Sequence, residues 1–119
     1  MATFQIEGGQ PLKGEIQPQG AKNEALQILC AVLLTPEKVV IDNIPDIVDV
    51  NKLINILSNL GVKIQKLGKG KYSFKSDALQ LEYLESEQFK KEGGGLRGSI
   101  MIVGPLLARF GKGYIPLLW

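Results

Sequence analysis

Gly20-Ala21-Lys22-Asn23-Glu24 runs directly into Ala25, Ile28, Leu29, Val32 and Leu33, five apolar positions at i, i+3, i+4, i+7 and i+8. That spacing predicts an amphipathic helix, and Thr35-Pro36 predicts its end. Upstream, Phe4-Gln5-Ile6-Glu7 and Leu12-Lys13-Gly14-Glu15-Ile16-Gln17 alternate apolar and polar residues around Gly8-Gly9 and Pro11, the pattern of two short strands joined by a turn. Downstream, Val39-Val40-Ile41 predicts a β-branched strand. A second helix is then expected, with Asp46 or Asp49 as its cap, a stripe of Val50, Leu53, Ile54, Leu57 and Leu60, and Gly61 at its left-handed end. Val62, Ile64 and Leu67 begin another strand, which Gly68-Lys69-Gly70 turns into a partner carrying Tyr72 and Phe74.

The remainder repeats this alternation. Leu79 to Tyr83 reads as extended, Glu85, Glu87 and Glu92 as a solvated helix face, and Gly93-Gly94-Gly95 as a flexible break. A third long helix is expected with Leu96, Ile100, Val103, Leu107 and Phe110 on one face, bent near its middle by Pro105 and stopped by Gly111. Tyr114-Ile115 should start a strand. The predicted class is α/β, with short strands and crossover helices. Ile28 and Ile102, Leu33 and Leu107, Lys38 and Lys112, and Ile41 and Ile115 each lie 74 residues apart, and the same offset sets Asn23 opposite Arg97. A repeated structural unit would have this property.

Composition narrows the function classes. At 119 residues, 45% hydrophobic and 22% charged, the chain can bury a core and is not of disordered composition. A formal charge of +2 is too small to imply nucleic acid or an anionic membrane as partner, so any anion site must be local. The lone Cys30 excludes an internal disulfide and a multi-cysteine zinc site; without a histidine as base, it reads as a packing residue. No cofactor or metal site is expected. The longest apolar run, Ile100 to Ala108, falls well short of the ~20 residues of a membrane-spanning helix, and Met1 to Glu7 lacks signal-peptide character. A cytoplasmic location is expected.

The segment most informative for chemistry is the opening one. Free amides and the positive dipole end at a helix start favour an anion; Lys22 adds a full charge there, and Asn23 both a donor and an acceptor. Spacing alone still favours reading both as solvated first-turn residues. Arg97 holds the equivalent place after the glycine run, where its planar fork suits phosphate; an ordinary helix-start surface role is an equal reading. Two cationic helix starts point to one polyanionic ligand. Arg109, near a helix C-terminus, favours a structural role. Lys63, Lys66, Lys69, Lys71 and Lys75 could form an RNA-binding patch, but on strands around a hairpin they read better as a solvated, edge-protecting face.

Taken together, Leu12-Lys13-Gly14-Glu15-Ile16, Gln19-Gly20-Ala21-Lys22-Asn23-Glu24-Ala25-Leu26, Asn43-Ile44-Pro45-Asp46, Leu60-Gly61-Val62, Leu96-Arg97-Gly98-Ser99 and Gly104-Pro105-Leu106-Leu107-Ala108-Arg109-Phe110-Gly111 resemble the start of the enolpyruvyl transferase family. The resemblance covers residues 3 to about 116, in order and with matching gaps. It implies transfer of the enolpyruvyl group of phosphoenolpyruvate to the 3'-hydroxyl of UDP-N-acetylglucosamine with release of phosphate, the first committed step of peptidoglycan synthesis. The Gly-Ala-Lys-Asn pattern favours this branch over its sibling that uses shikimate 3-phosphate. It also implies βαβαββ units of an inside-out α/β barrel. Residues 1–20 would be strands of the second domain, 21–78 the first α/β unit, and 79–119 an incomplete second unit. Lys22 and Asn23 would contact phosphoenolpyruvate and Arg97 the UDP-sugar, with Lys22 balancing charge as the tetrahedral intermediate forms and collapses.

Relative to that family the sequence is short. Family members carry, after the strand that Tyr114-Ile115 begins, a Pro-Gly-Gly loop bearing a cysteine or aspartate general acid; here Pro116 is followed by Leu117-Leu118-Trp119. The chain therefore reads as an N-terminal fragment without a catalytic acid, not expected to turn over alone. Leu117, Leu118 and Trp119, with surfaces that later units would cover, are expected to drive self-association.

Overall fold

A computed structural model describes residues 2–94 and 96–114, and for Arg97 and Gly98 the backbone alone. Its body is a mixed helix and sheet arrangement built on three strands. β1 (Lys38–Ile41), β2 (Lys63–Gly68) and β3 (Lys71–Lys75) form a sheet in the order β1-β3-β2, with β3 antiparallel to both neighbours. β1 and β2 are consequently parallel, and α2 (Val48–Leu60) is the crossover that their shared direction requires. The hairpin β2–β3 then inserts its second strand between them.

α1 (Lys22–Ala31) tightens into a 3-10 turn at Val32–Leu34 before Thr35 leaves in extended conformation. Of the expected stripe Leu29, Val32 and Leu33 are buried and Ala25 packs on the core, but Leu26 and Cys30 are buried as well, while Ile28 is 40% exposed. Cys30 packs in the core as predicted, and burial pushes its thiol up to about 12. On α2 the buried positions are Val50, Leu53, Ile56, Leu57 and Leu60, and Gly61 ends the helix at φ 108°. A side chain there would also meet the Ala78 carbonyl, which makes glycine the fitting residue twice over. Neither Asp46 nor Asp49 caps α2. Ile47 occupies the cap, Asp46 accepts a hydrogen bond from the Asn51 amide at 2.8 Å, and Asp49 lies in the first turn.

The second half departs further from expectation. Leu79 to Tyr83 is not a strand: the Gln80 amide donates to the Leu60 carbonyl, and a 3-10 turn at Leu81–Glu85 buries Leu84 instead. α3 (Glu87–Gly94) continues into the glycine run, whose Gly93 is buried within the last turn rather than forming a flexible break; Gly95 lies outside the described residues. The expected third helix is two segments, a 3-10 stretch at Arg97–Ile102 and α4 (Val103–Phe110). Leu96, Ser99 and Ile102 are buried at a spacing of three, the period of a 3-10 helix, and Leu106 follows them. Leu107 is therefore half exposed. Pro105 sits in the first turn of α4, just after the winding changes from 3-10 to α, so it lies near this change and not in the middle of one long α-helix. Gly111 stops α4 at φ 78°, as expected. Tyr114 is not in a strand, and Ile115 to Trp119 lie outside the described residues.

Residues 2–20 form no strand. Phe4, Ile6, Leu12 and Ile16 are each at least 87% exposed, and the radius of gyration of 17.8 Å exceeds the roughly 13.5 Å of a compact chain of this length. A lone hairpin without a surface to cover is marginal, and residues 2–16 are exposed throughout.

Candidate anion site at a helix start

Lys22 is the first residue of α1 and lies exposed where the chain leaves its extended arm. The junction is tight. A side chain at Gly20 would collide with the Asn43 carbonyl, so only glycine lets residues 18–21 lie against the loop after β1. Asn43 itself adopts φ 58°, its amide donates to the Asp42 carboxylate at 2.7 Å, and its side chain reaches the Pro18 carbonyl at 3.5 Å. The adjoining Ile44 amide bonds the Gly70 carbonyl, tying this loop to the β2–β3 turn. The helix start is thus fixed by backbone packing.

Ala21 stands at the N-cap and no side chain caps the helix, so the first-turn amides of α1 have no acceptor within it. Beside them the Lys22 ammonium pairs with the Asp49 carboxylate at 2.7 Å. This ion pair joins the first turns of α1 and α2 and holds the Asp49 carboxyl below the usual carboxylate range, through its hydrogen bond to Lys22. Both partners remain over a third exposed, so the pair contributes little to stability. Its consequence is positional: the cation is held at the end of a helix that already favours an anion. Asn23 is exposed one residue on. Asp49 was legible only as a cap, because periodicity places it in a first turn without showing which cation faces it.

Two hollows flank this start. One of 210 Å³ runs along α1 past Gly20, Glu24, Ile28 and Asn43; the other, of 530 Å³, lies between Gln17, Asp46, Lys66, Lys69 and Tyr72. Neither is lined by Lys22 or Asn23.

Arg97 opens the 3-10 stretch that packs on α1, with Leu96 at its cap. Ser99 donates from its hydroxyl to the Gly93 carbonyl at 2.9 Å, and the Leu96 amide bonds the same oxygen. Arg109 donates to the Leu33 carbonyl at 3.1 Å and stacks over Phe110, the structural role expected of it. The hairpin lysines are divided. Lys63 and Lys75 lie opposite each other and share Asp77, at 3.2 and 3.6 Å, while Lys66 lies over the Tyr72 ring. Only Lys63 and Lys66 are on an edge strand; Lys71 and Lys75 belong to the central one, so edge protection explains two of the five. Among the described residues no helix is long and apolar enough to cross a membrane, and no group of three acidic, cysteine or histidine residues could hold a metal.

The first helix of this mixed helix and sheet unit thus begins at an uncapped turn that bears Lys22. The chain belongs to the EPSP synthase (3-phosphoshikimate 1-carboxyvinyltransferase) family, whose profile matches residues 6–117. Relatives within it are more specific. The chain is 57% identical over 115 residues to the UDP-N-acetylglucosamine 1-carboxyvinyltransferases of Bacteroides fragilis and Bacteroides thetaiotaomicron, and 53% identical over 116 residues to that of Porphyromonas gingivalis. These alignments take in 97–98% of the chain but only 26–27% of each relative, so the chain spans about a quarter of their length.

Proposed function

We propose that this chain supplies part of the substrate site of an enzyme that transfers the enolpyruvyl group of phosphoenolpyruvate to the 3'-hydroxyl of UDP-N-acetylglucosamine, releasing phosphate for peptidoglycan synthesis in the cytoplasm. The observation that carries the reading is the 57% identity to enzymes of that name across nearly the whole chain. It favours the sugar nucleotide over shikimate 3-phosphate as acceptor. In this reading Lys22 and Asn23 bind phosphoenolpyruvate at the start of α1 and Arg97 binds the UDP-sugar. The amides of the first turn and the Lys22 ammonium balance the charge already on the phosphate and carboxylate as the acceptor oxygen adds to the enol carbon and a proton to the methylene carbon, and then the charge that grows on phosphate as its C–O bond breaks in the collapse. No residue of the chain is assigned as general acid, so turnover by the 119 residues alone is not expected. Residues 21–78, in the order α1-β1-α2-β2-β3, are then the first α/β unit of an inside-out α/β barrel, 79–119 the start of a second, and 1–20 a stretch that pairs into strands only within a second domain.

The test is an NMR titration of the chain with phosphoenolpyruvate and UDP-N-acetylglucosamine. Selective shifts of the Lys22 and Asn23 amides with the first ligand, and of Arg97 with the second, are expected. A well-dispersed spectrum unmoved by either ligand would refute the assignment of these residues.

A further inference from the structure

Glu92 breaks a local rule. A carboxylate in the last turn of a helix lies at the negative end of the dipole, where a cation would be favoured, and its partial burial raises the cost. Four side chains from three elements offset this. The Tyr83 hydroxyl donates to Glu92 at 2.9 Å, Gln88 at 2.9 Å, Asn59 at 3.2 Å and Asn55 at 3.3 Å. Asn55 and Asn59 are one turn apart on α2, so both amides leave the same face. Burial pushes the Glu92 carboxyl up, but the bonds from Gln88, Tyr83 and Asn59 outweigh it and hold the group below its usual range.

The very next residue is the anchor for the Arg97 segment. Gly93 offers its carbonyl to the Leu96 amide at 3.1 Å and to the buried Ser99 hydroxyl at 2.9 Å. Between these points the chain reads Gly93-Gly94-Gly95, with no side chain to fix its course. Gly93 and Gly94 take their course from the last turn of α3. Leu96 and Ser99 fix the far end by burial, and the four-donor clasp on Glu92 fixes the near end against α2. We propose that Glu92 is a positioning residue for the backbone on either side of Arg97: it sets the last turn of α3 on α2 so that the Gly93 carbonyl holds Leu96 and Ser99, between which Arg97 lies. The choice of ligand rests on the reading of Arg97 given above; the mechanical part does not.

Glu92→Ala, Glu92→Gln and Ser99→Ala in this chain test it by amide exchange and by separate titrations with UDP-N-acetylglucosamine and phosphoenolpyruvate. Glu92→Ala should speed exchange of the Leu96 and Ser99 amides by about tenfold or more, with α1, α2 and sheet amides within about twofold. It should weaken UDP-N-acetylglucosamine by about tenfold, a loss of one to two hydrogen bonds' worth, and leave phosphoenolpyruvate at Lys22 within about twofold. Glu92→Gln, which keeps one carbonyl acceptor, should recover most of both effects. Ser99→Ala should loosen the same two amides from the far end, and Tyr83→Phe, which removes one donor to Glu92, decides the matter if the alanine variant at Glu92 unfolds. Unchanged exchange at Leu96 and Ser99 in the Glu92 and Ser99 variants overturns the proposal, as does equal weakening of both ligands. If the parent chain binds no UDP-N-acetylglucosamine, the reading of Arg97 fails and the exchange rates alone decide the role of Glu92.

Discussion

Asn23 and Arg97 are 74 residues apart at matched places in a repeating pattern, yet their segments are built by different means. α1 leaves its junction as regular α-helix, held by backbone contact between Gly20 and the Asn43 loop, and ends in a 3-10 turn. The Arg97 segment does the reverse: it begins as 3-10 helix, held by the Ser99 hydroxyl and the Glu92 clasp, and ends as α-helix. Repetition of an apolar pattern therefore fixes that a helical segment packs at each place, not its winding. Winding follows from local chemistry, in the second case a proline that must fall in the first turn of whatever α-helix contains it.

The largest effect expected concerns the interior beneath α1. With its thiol pushed up to about 12, Cys30 carries about a thousandfold less thiolate than an ordinary cysteine. Its reaction with an aromatic disulfide reagent at pH 8 should be slower than that of a free thiol by at least this factor, and should accelerate only as α1 opens. Rapid modification under native conditions would show that the first unit is looser than the burial of Leu29 and Leu33 implies.

Next in size is the junction itself. Gly20→Ala drives a β-carbon into a backbone carbonyl that no rotamer change can move, and should cost roughly 3 kcal/mol in urea unfolding. Lys22→Ala is the complementary change. It removes only an exposed ion pair, so stability should fall by less than about 1 kcal/mol while the phosphoenolpyruvate shifts at the α1 start disappear. Loss of the shifts together with loss of the fold would mean that Lys22 is structural.

How much could be read beforehand follows the same division. The α2 stripe and Gly61 and the hairpin around Gly68 to Gly70 follow from side-chain periodicity and from one left-handed position, both local properties, while the packing role of Cys30 was read from the lack of a histidine base. Lys22 and Arg97 were legible as helix starts. Asp49, Glu92 and the pinch at Gly20 were not, since each depends on an atom 20 or more residues away: the Lys22 ammonium, the Asn59 amide, the Asn43 carbonyl. The arm at 2–20 alternates like a strand but forms none here, because a strand also needs a partner and alternation does not show where that partner lies.

Acid titration should separate the two regions more gently. The Asp49 and Glu92 carboxyls are both held below their ordinary values, so each adds stability above the usual carboxylate range near pH 4 and loses it as pH falls through the lowered native value. Asp49→Asn and Glu92→Gln should each flatten the acid limb of the unfolding curve. The effect should be smaller for Asp49, whose single partner is exposed, than for Glu92 with its four donors. A steeper limb in either variant would contradict the sign of these shifts.

The smallest effect tests the second helix start by the substitution that wrecks the first. Gly104 lies in the first turn of α4 with open space where a side chain would go, and its φ is not among the positive ones. Alanine there meets nothing, restricts the unfolded chain and suits the helix, so Gly104→Ala should raise stability by about 0.5 kcal/mol. Opposite signs for Gly20→Ala and Gly104→Ala would show that the first segment is held by backbone contact and the second by side chains. A loss on Gly104→Ala would instead mean that the 3-10 to α transition before Pro105 needs the freedom of glycine, and that its winding is set by the backbone after all.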